Sequence, residues 1–214
     1  MAITAAELSD GFPCLYHVAH RGSWPKIFKS GLLSTSALLD LYGIAGDERF
    51  RIESCHRPKC VPIHHHEYGE AVIRDQKPMP EHALAKALCC EMTPSQWYRE
   101  VNSRVFFWFS EDRLRNFLAA YASSAHDVLV VDTKQLLQRH ADRVQLSHIN
   151  SGAAMRRPAK RCRSTFKTPA EFPCREKRKF VELAIPHGVP DISDFVIEVR
   201  ECQAGHDCKI LWSR

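Results

Sequence analysis

The chain has 214 residues, a mass of 24.5 kDa and a formal net charge of +5, and 44% of its residues are hydrophobic while 26% are charged. This is the composition of an ordinary globular protein, and it excludes collagen, coiled coil and wholesale disorder. The longest strongly apolar runs, at 105–109 and 128–131, fall far short of the ~20 residues that a membrane-spanning helix needs. We therefore expect a single soluble domain over residues 1–214, with no membrane partner.

The N-terminus and the cysteines both bear on where the protein works. The first ten residues carry two acids and no basic residue, so we expect no secretory signal and a cytoplasmic protein. Nine cysteines without a repeating spacing argue against a disulfide framework. One cluster, Cys55, Cys60, His64, His65 and His66, offers zinc ligands, but a polar loop explains it equally. No second ligand pair has zinc-finger spacing, so we expect no metal.

The first half of the chain predicts one strand and several short helices. Apolar residues at 15–19 predict a strand, and Ser23 as N-cap with Pro25 predicts a helix that ends at Gly31. Residues 45–80 are polar and bounded by prolines, which predicts an irregular insertion. Further helices are expected at 34–42, 81–90 and 93–100, the last with Thr93 as its N-cap.

The second half is richer in strands. Residues 104–109 predict a strand, after which Ser110 caps a helix that runs to Tyr121. Residues 127–132 predict a buried strand, followed by a helix capped by Thr133. Further strands are expected near 144 and at 180–185, 195–199 and 208–212. Without regular βαβ alternation or a glycine-rich phosphate loop, this pattern predicts an α+β fold and argues against Rossmann and P-loop folds.

Positive charge is concentrated in residues 155–179, here called the basic segment. It holds ten basic and two acidic residues, a charge of +8, so the remaining chain is −3. A basic strip on a slightly acidic body is typical of a polyanion-binding surface, although charge runs are often only solvated loops.

Three strand-associated segments resemble the ADP-ribosyltransferase superfamily. In the first, Tyr16-His17 precedes Ile27 and Gly31-Leu32, as in the superfamily's opening strand and helix. There the histidine binds the adenosine ribose of NAD, and the resemblance assigns this role to His17. From the residues alone, a histidine in a buried strand is more often a satisfied core residue than a ligand.

The second segment, the strand at 104–109 and the helix ending at Tyr121, resembles the superfamily's central strand and helix. The resemblance implies that Tyr121 stacks on nicotinamide and that Ser110, at the junction, also contacts the cofactor. A phenol ring suits a cationic pyridinium through stacking and cation–π attraction. Packing for Tyr121, capping for Ser110 and a core role for the aromatic run are the alternatives.

In the third segment, Glu182 lies within the otherwise apolar run 180–186. An acid there is costly to bury unless it has a task, although a strand glutamate can also face solvent. The segment resembles the superfamily's closing strand, whose glutamate hydrogen-bonds the nicotinamide ribose and stabilises an oxocarbenium-like transition state. The Val189-Pro190 turn makes it similar to DarT-like toxins that ADP-ribosylate DNA. Phe180 stands where toxins that modify arginine or asparagine have Gln or Glu, which disfavours protein acceptors.

The ordered set His17, Tyr121 and Glu182 implies an ADP-ribosyltransferase-like split β-sheet with peripheral helices, and NAD as co-substrate. DarT-like enzymes also use an arginine between the first two segments, for which Arg74 is the candidate. Their strand reads Tyr-Phe, where this chain has Phe107-Trp108.

The resemblance implies an enzyme, an NAD-dependent mono-ADP-ribosyltransferase, with an antitoxin or immunity protein as a further partner. Because the basic segment leads into Glu182, we expect a nucleic-acid acceptor, DNA ahead of RNA. The residues expected to bind it are Arg156, Arg157, Lys160, Arg161 and Arg163. Two alternatives stay open: an inactive module that binds nucleic acid or ADP-ribose, and a relative of RNA 2′-phosphotransferases, whose His and Arg motifs find no match.

Overall fold

The computed structural model describes residues 3–89, 92–155, 159–172 and 180–214, and within them the chain forms eight α-helices and eleven β-strands. The helices are all short and are α1 (Ala5–Gly11), α2 (Trp24–Ser30), α3 (Thr35–Leu41), α4 (Gly46–Glu53), α5 (Glu81–Ala87), α6 (Pro94–Asn102), α7 (Glu111–Ala120) and α8 (Thr133–His140). The strands are β1 (Cys14–His20), β2 (Leu32–Leu33), β3 (Val61–His65), β4 (Gly69–Ile73), β5 (Arg104–Trp108), β6 (His126–Asp132), β7 (Gln145–Ser147), β8 (Glu182–Pro186), β9 (Gly188–Val189), β10 (Val196–Cys202) and β11 (Lys209–Ser213).

Seven of these strands form one antiparallel sheet in the order β11-β10-β6-β1-β5-β8-β7. Two small two-stranded sheets, β2 with β9 and β3 with β4, accompany it. The helices lie around the large sheet, so the α+β class predicted from the sequence is confirmed. No helix of the described residues is both long enough and apolar enough to cross a membrane.

The large sheet opens between β1 and β5. On one side β1 pairs with β6 over seven residue pairs, from Cys14 opposite Asp132 to His20 opposite His126. On the other side it pairs with β5 at one position, Tyr16 opposite Trp108. Beyond that pair the two strands separate, which leaves a gap at the middle of the sheet.

Most of the core lies on one face of the sheet. Alternate strand residues such as Leu15, Phe107, Leu129 and Leu183 point into it and are fully buried. Burying one such side chain contributes about 1.5–3 kcal/mol before entropy is counted. A second apolar cluster lies against α7. Both faces of the sheet at β5 are therefore covered, one by the main core and the other by this second cluster.

The prediction of an irregular insertion at 45–80 is wrong, since this part contains α4 and the β3–β4 hairpin. A separate apolar cluster holds it together, made by Leu39, Tyr42, Ile52, Ile63 and Ile73. The hairpin strands pair with each other and do not extend the large sheet. Each strand has only five residues, and Pro62 and Gly69 are residues that strands disfavour, so the alternation was too short and too interrupted to be recognised along the chain.

Two of the predicted helix caps are corrected. The Ser23 side chain makes no cap hydrogen bond in α2. Instead the buried carboxylate of Asp127, on β6, accepts the backbone N–H of Trp24 at 3.0 Å. In α8 the cap is Asp132, whose carboxylate accepts the N–H of Gln135 at 2.9 Å, and not Thr133. The predicted caps at Thr93 and Ser110 are confirmed, and Ser34, for which no cap was predicted, caps α3.

The structure also contains one disulfide among the described residues, which the cysteine spacing did not predict. It joins Cys202 at the end of β10 to Cys208 just before β11. The bond closes the connection between two strands at the sheet edge.

The close approach of β2 and β9 gives a prediction about stability. Gly188 has φ +128, and a Cβ there would lie 2.3 Å from the Leu32 carbonyl oxygen. We expect Gly188→Ala to lower the free energy of unfolding by about 3 kcal/mol or more, because backbone strain of ~1–3 kcal/mol adds to overpacking of similar size. Urea unfolding measures this, with Gly205→Ala as the matched control, since Gly205 has φ +79 but open space around it. Equal losses in the two variants would contradict the steric explanation.

Candidate functional site

A cleft of about 510 Å³ opens where β1 and β5 separate. This volume lies within the range of small-molecule sites, and openings between strands and domains are common places for them. The cleft is walled by β1, β5, the residues after α2 and the β3–β4 hairpin. Four of the residues singled out from the sequence line it: His17, Arg74, Tyr121 and Glu182.

His17 lies on β1 at the point where the ladder to β5 is interrupted. Its Nδ1 is 2.9 Å from the carbonyl oxygen of Phe106, which can only accept, so Nδ1 carries the proton and Nε2 stays an acceptor. Burial is the main cause that lowers the pKa of His17 to about 4; the hydrogen bond to Phe106 opposes this lowering, and the charge of Arg74 contributes to it. His17 is therefore a neutral imidazole with a fixed tautomer at neutral pH.

Glu182 begins β8 and is 3% exposed. Its Oε2 accepts the backbone N–H of Ser151 at 3.1 Å. Burial raises the pKa of Glu182 to about 7, although the bond from Ser151 and the positive charges of Arg161 and Arg113 act to lower it. The alternative that the sequence left open, a strand glutamate that faces solvent, is therefore wrong. The titration of Glu182 near neutral pH makes it responsive to a cationic ligand.

Tyr121, the C-terminal residue of the α7 region, lines the cleft but its ring is already engaged. It stacks on Phe117 with ring centroids 4.9 Å apart, and the Arg74 guanidinium carbon lies 5.0 Å from its centroid. Burial and the neighbouring carboxylate raise the pKa of Tyr121, and its hydroxyl donates to Asp75 at 2.9 Å. Stacking of a ligand on this ring would have to displace one of these neighbours.

Arg74 follows β4 and brings positive charge to the cleft. One of its guanidinium nitrogens is 3.5 Å from the Val18 carbonyl oxygen, and the group lies 4.8 Å from the Phe117 centroid. Among the described residues no carboxylate lies within ion-pair distance of it. A guanidinium with unused donors is suited to an anionic group such as a diphosphate.

Trp108 is a cleft residue that sequence reasoning assigned to the core. It lies directly opposite Glu182 across the β5–β8 pair, so the two side chains share one face. Phe106, two residues earlier, also lines the cleft, while Phe107 faces the core. The sequence did contain a signal for this. Side chains along a strand alternate between the two faces of the sheet, so the aromatic run at 104–109 has to be divided between the core and the opposite face.

Ser110 was predicted to contact the cofactor, and the structure corrects this. It does not line the cleft. Its side-chain oxygen accepts the N–H of Arg113 at 3.4 Å as the N-cap of α7. The hydroxyl is used to satisfy a helix end, which is the alternative that the sequence left open.

The basic segment is only partly described. Arg156 and Arg157 lie outside the described residues, while Lys160 and Arg163 are exposed. Arg161 was predicted to bind nucleic acid, but it is 1% exposed and its guanidinium donates to backbone carbonyl oxygens. It cannot contact a phosphate in this conformation, and the prediction for it is corrected.

The candidate metal ligands do not assemble as one group. Cys60 instead donates to a carboxylate oxygen of Asp75 at 3.6 Å. Within the described part of the chain, the potential ligand atoms of His65, His66 and Glu67 lie within 4.8 Å of one another. The Nδ1 atom of His65 accepts the N–H of Glu67 at 3.2 Å, so it closes the hairpin turn. The arrangement is explained by the turn.

The chain belongs to a family of unknown function (DUF7002), which matches over residues 13–196. This range includes the whole cleft-lining set described above. No curated protein and no solved structure matches the chain. Family membership brings no activity with it, and the function has to be argued from the cleft.

Proposed function

We propose that this member of the family is an NAD-dependent mono-ADP-ribosyltransferase, with an ADP-ribosyltransferase-like split sheet, that transfers ADP-ribose to nucleic acid and releases nicotinamide. The observation that carries the proposal is that His17, Tyr121 and Glu182, predicted from three distant segments, line one cleft. Residues 165 positions apart in sequence meet there because β1, β5 and β8 are adjacent strands. DNA is favoured over RNA as the acceptor, on the resemblance to DarT-like enzymes.

Glu182 has the central role in this chemistry. The bond between the ribose C1′ and the nicotinamide nitrogen breaks, and nicotinamide leaves with the bonding electron pair. Positive charge then develops on the ribose, where the fixed carboxylate stabilises it. A nucleophilic atom of the acceptor bonds to C1′ and loses its proton, so the transfer is redox-neutral.

The other cleft residues would hold the substrate in place. His17 presents Nε2 as an acceptor for a ribose hydroxyl, because its Nδ1 donates to Phe106. Arg74 supplies donors for the diphosphate of NAD. Trp108, which faces the same side as Glu182, offers an aromatic ring for nicotinamide where Tyr121 is already stacked on Phe117.

The acceptor is proposed from charge. Lys160 and Arg163 are exposed and come shortly after the residues 150–153 that line the cleft. Lysine and arginine at a rim attract phosphates without reading sequence. Together with Arg156 and Arg157, they would bring the nucleic acid to the cleft.

A second candidate is a module of the same fold that binds ADP-ribose or nucleic acid without turnover. The engaged Tyr121 ring favours it, because nicotinamide would have to displace Phe117 or Arg74 from that ring. Calorimetry with NAD, combined with an assay for free nicotinamide, separates the two functions. Binding accompanied by nicotinamide release supports the transferase, and binding without release supports the module.

The titration of Glu182 predicts the pH dependence of the reaction. Because burial raises its pKa to about 7, the ionised fraction rises with pH through 7 and is only about a tenth at pH 6. We expect kcat/KM for nicotinamide release to rise about tenfold from pH 6 to a plateau near pH 8. His17, with a pKa of about 4, stays neutral over this pH range and adds no second inflection to the pH profile of kcat/KM. A rate independent of pH between 6 and 8 would contradict the role of the carboxylate.

A further inference from the structure

The buried side chain of Arg161 holds a short stretch of backbone beside the cleft through hydrogen bonds. One guanidinium nitrogen donates to the carbonyl oxygen of Ala159 at 2.7 Å, and the other donates to Asn150 at 3.0 Å and to Ala153. Two of the three acceptors belong to residues 150–153, here called the Ser151 loop. The planar fork of arginine can bridge acceptors in this way, which an ammonium group cannot.

The Ser151 loop contacts Glu182 through its backbone. The Ser151 N–H donates to Oε2 of Glu182 at 3.1 Å, and the Ser151 carbonyl oxygen accepts from the indole N–H of Trp97 at 3.4 Å. All four residues of the loop line the cleft. The direction in which this amide points therefore decides how the carboxylate is held.

Arg161 is itself fixed from the opposite side. Its backbone N–H donates to the carbonyl oxygen of Ala87 at 2.9 Å, and its carbonyl oxygen accepts the N–H of Cys89 at 2.9 Å. These bonds tie it to the end of α5. The residue thus connects a helix end to the Ser151 loop without touching Glu182 by a hydrogen bond of its own.

We propose that Arg161 is a positioning residue for Glu182, because it clamps the Ser151 loop in the conformation that directs the Ser151 amide at the carboxylate. The importance of this for turnover rests on the proposed function, but the contact does not. A donated N–H favours the ionised carboxylate. The charged side chains that act most on Glu182 are Arg161 itself and Arg113 on α7, so loss of Arg161 removes both an anchored donor and a positive charge.

The test is a titration of the Glu182 carboxyl by NMR with ¹³C-labelled glutamate, in which the signal is assigned by its absence from Glu182→Gln. In Arg161→Met we expect the pKa of Glu182 to rise by about one unit, and the midpoint of the nicotinamide-release profile to move to higher pH equally. Arg161→Lys retains the charge but not the planar fork, so we expect a smaller rise in the pKa of Glu182. This variant replaces Arg161→Met in the test if the methionine variant does not fold. Lys86→Met, an exposed lysine on α5, is the matched control and should leave the pKa of Glu182 unchanged.

Two outcomes separate this proposal from the function on which it builds. A raised pKa in the arginine variants, with no nicotinamide release by the wild type, supports the positioning role and overturns the transferase. Release by the wild type with an unchanged Glu182 pKa in both arginine variants overturns the positioning role, since a residue that only stabilises the fold lowers the amount of active protein without moving the midpoint.

Discussion

Replacing Glu182 with glutamine should lower the rate of nicotinamide release by about 10²–10³-fold, which is the loss typical of one preorganised electrostatic group. Glutamine keeps the shape and can still accept the Ser151 N–H, so the fold should be retained. It removes only the negative charge that opposes the positive charge on the ribose. Steady-state kinetics at pH 8.5, where the wild-type carboxylate is ionised, measure the full effect, and circular dichroism checks the fold.

The matched control for this variant is Glu198→Gln. Glu198 is a strand glutamate too, but it is only partly buried, lies on β10, pairs with Arg200 and does not line the cleft. We expect its rate to stay within about twofold of the wild type, since surface ion pairs contribute little. If both variants keep the wild-type rate, Glu182 is a structural acid and the cleft does not perform this chemistry.

Replacing four basic residues of the basic segment with alanine should flatten the salt dependence of nucleic-acid binding. Each neutralised phosphate contributes about −0.9 to the log–log slope on duplex, or about −0.7 on single strands, so four contacts give roughly −3 to −4. That slope corresponds to a loss of about 10²-fold in affinity between 50 and 200 mM salt. Fluorescence anisotropy with labelled DNA compares the wild type with the variant in which Arg156, Arg157, Lys160 and Arg163 are alanine.

Arg161 is left intact in that variant because its guanidinium holds the Ser151 loop, and its loss would confuse surface binding with the geometry of the cleft. The control replaces four exposed lysines outside the basic segment with alanine and so has the same net charge; these are Lys29, Lys86, Lys134 and Lys209. The control should keep most of the slope, and both proteins should bind NAD as the wild type does. If the two variants lose the same slope, or neither loses any, the basic segment is a solvated loop.

The parts of the fold that the sequence predicted are those in which neighbouring residues decide the outcome. Continuous apolar runs predicted β1, β5, β6 and β8, and hydroxyl side chains before helices predicted the caps at Thr93 and Ser110. Glu182 was found because an acid in an apolar strand is costly wherever that strand lies. In each case, residues close together in sequence were sufficient for the prediction.

What the sequence did not predict depends on contacts between distant residues. The charge of Arg161 indicated the surface, yet backbone carbonyl oxygens make its burial tolerable by accepting from its guanidinium. Its backbone is in turn hydrogen-bonded to Ala87 and Cys89, more than 70 residues earlier in the chain. Asp127 caps α2 from a strand about 100 residues away, where only Ser23 could be considered locally. Trp108 was placed in the core because the opening of the sheet beside it is a property of strand pairing.

The most direct measurement uses NAD that carries one label on nicotinamide and another on the adenylate half, incubated with the protein and with single-stranded DNA, duplex DNA, RNA or no nucleic acid. The two labels should separate, with free nicotinamide and adenylate label on the DNA in equal amounts, and Glu182→Gln should abolish nearly all of both. If the labels stay together in every incubation, and the wild type is indistinguishable from Glu182→Gln, the cleft does not transfer ADP-ribose.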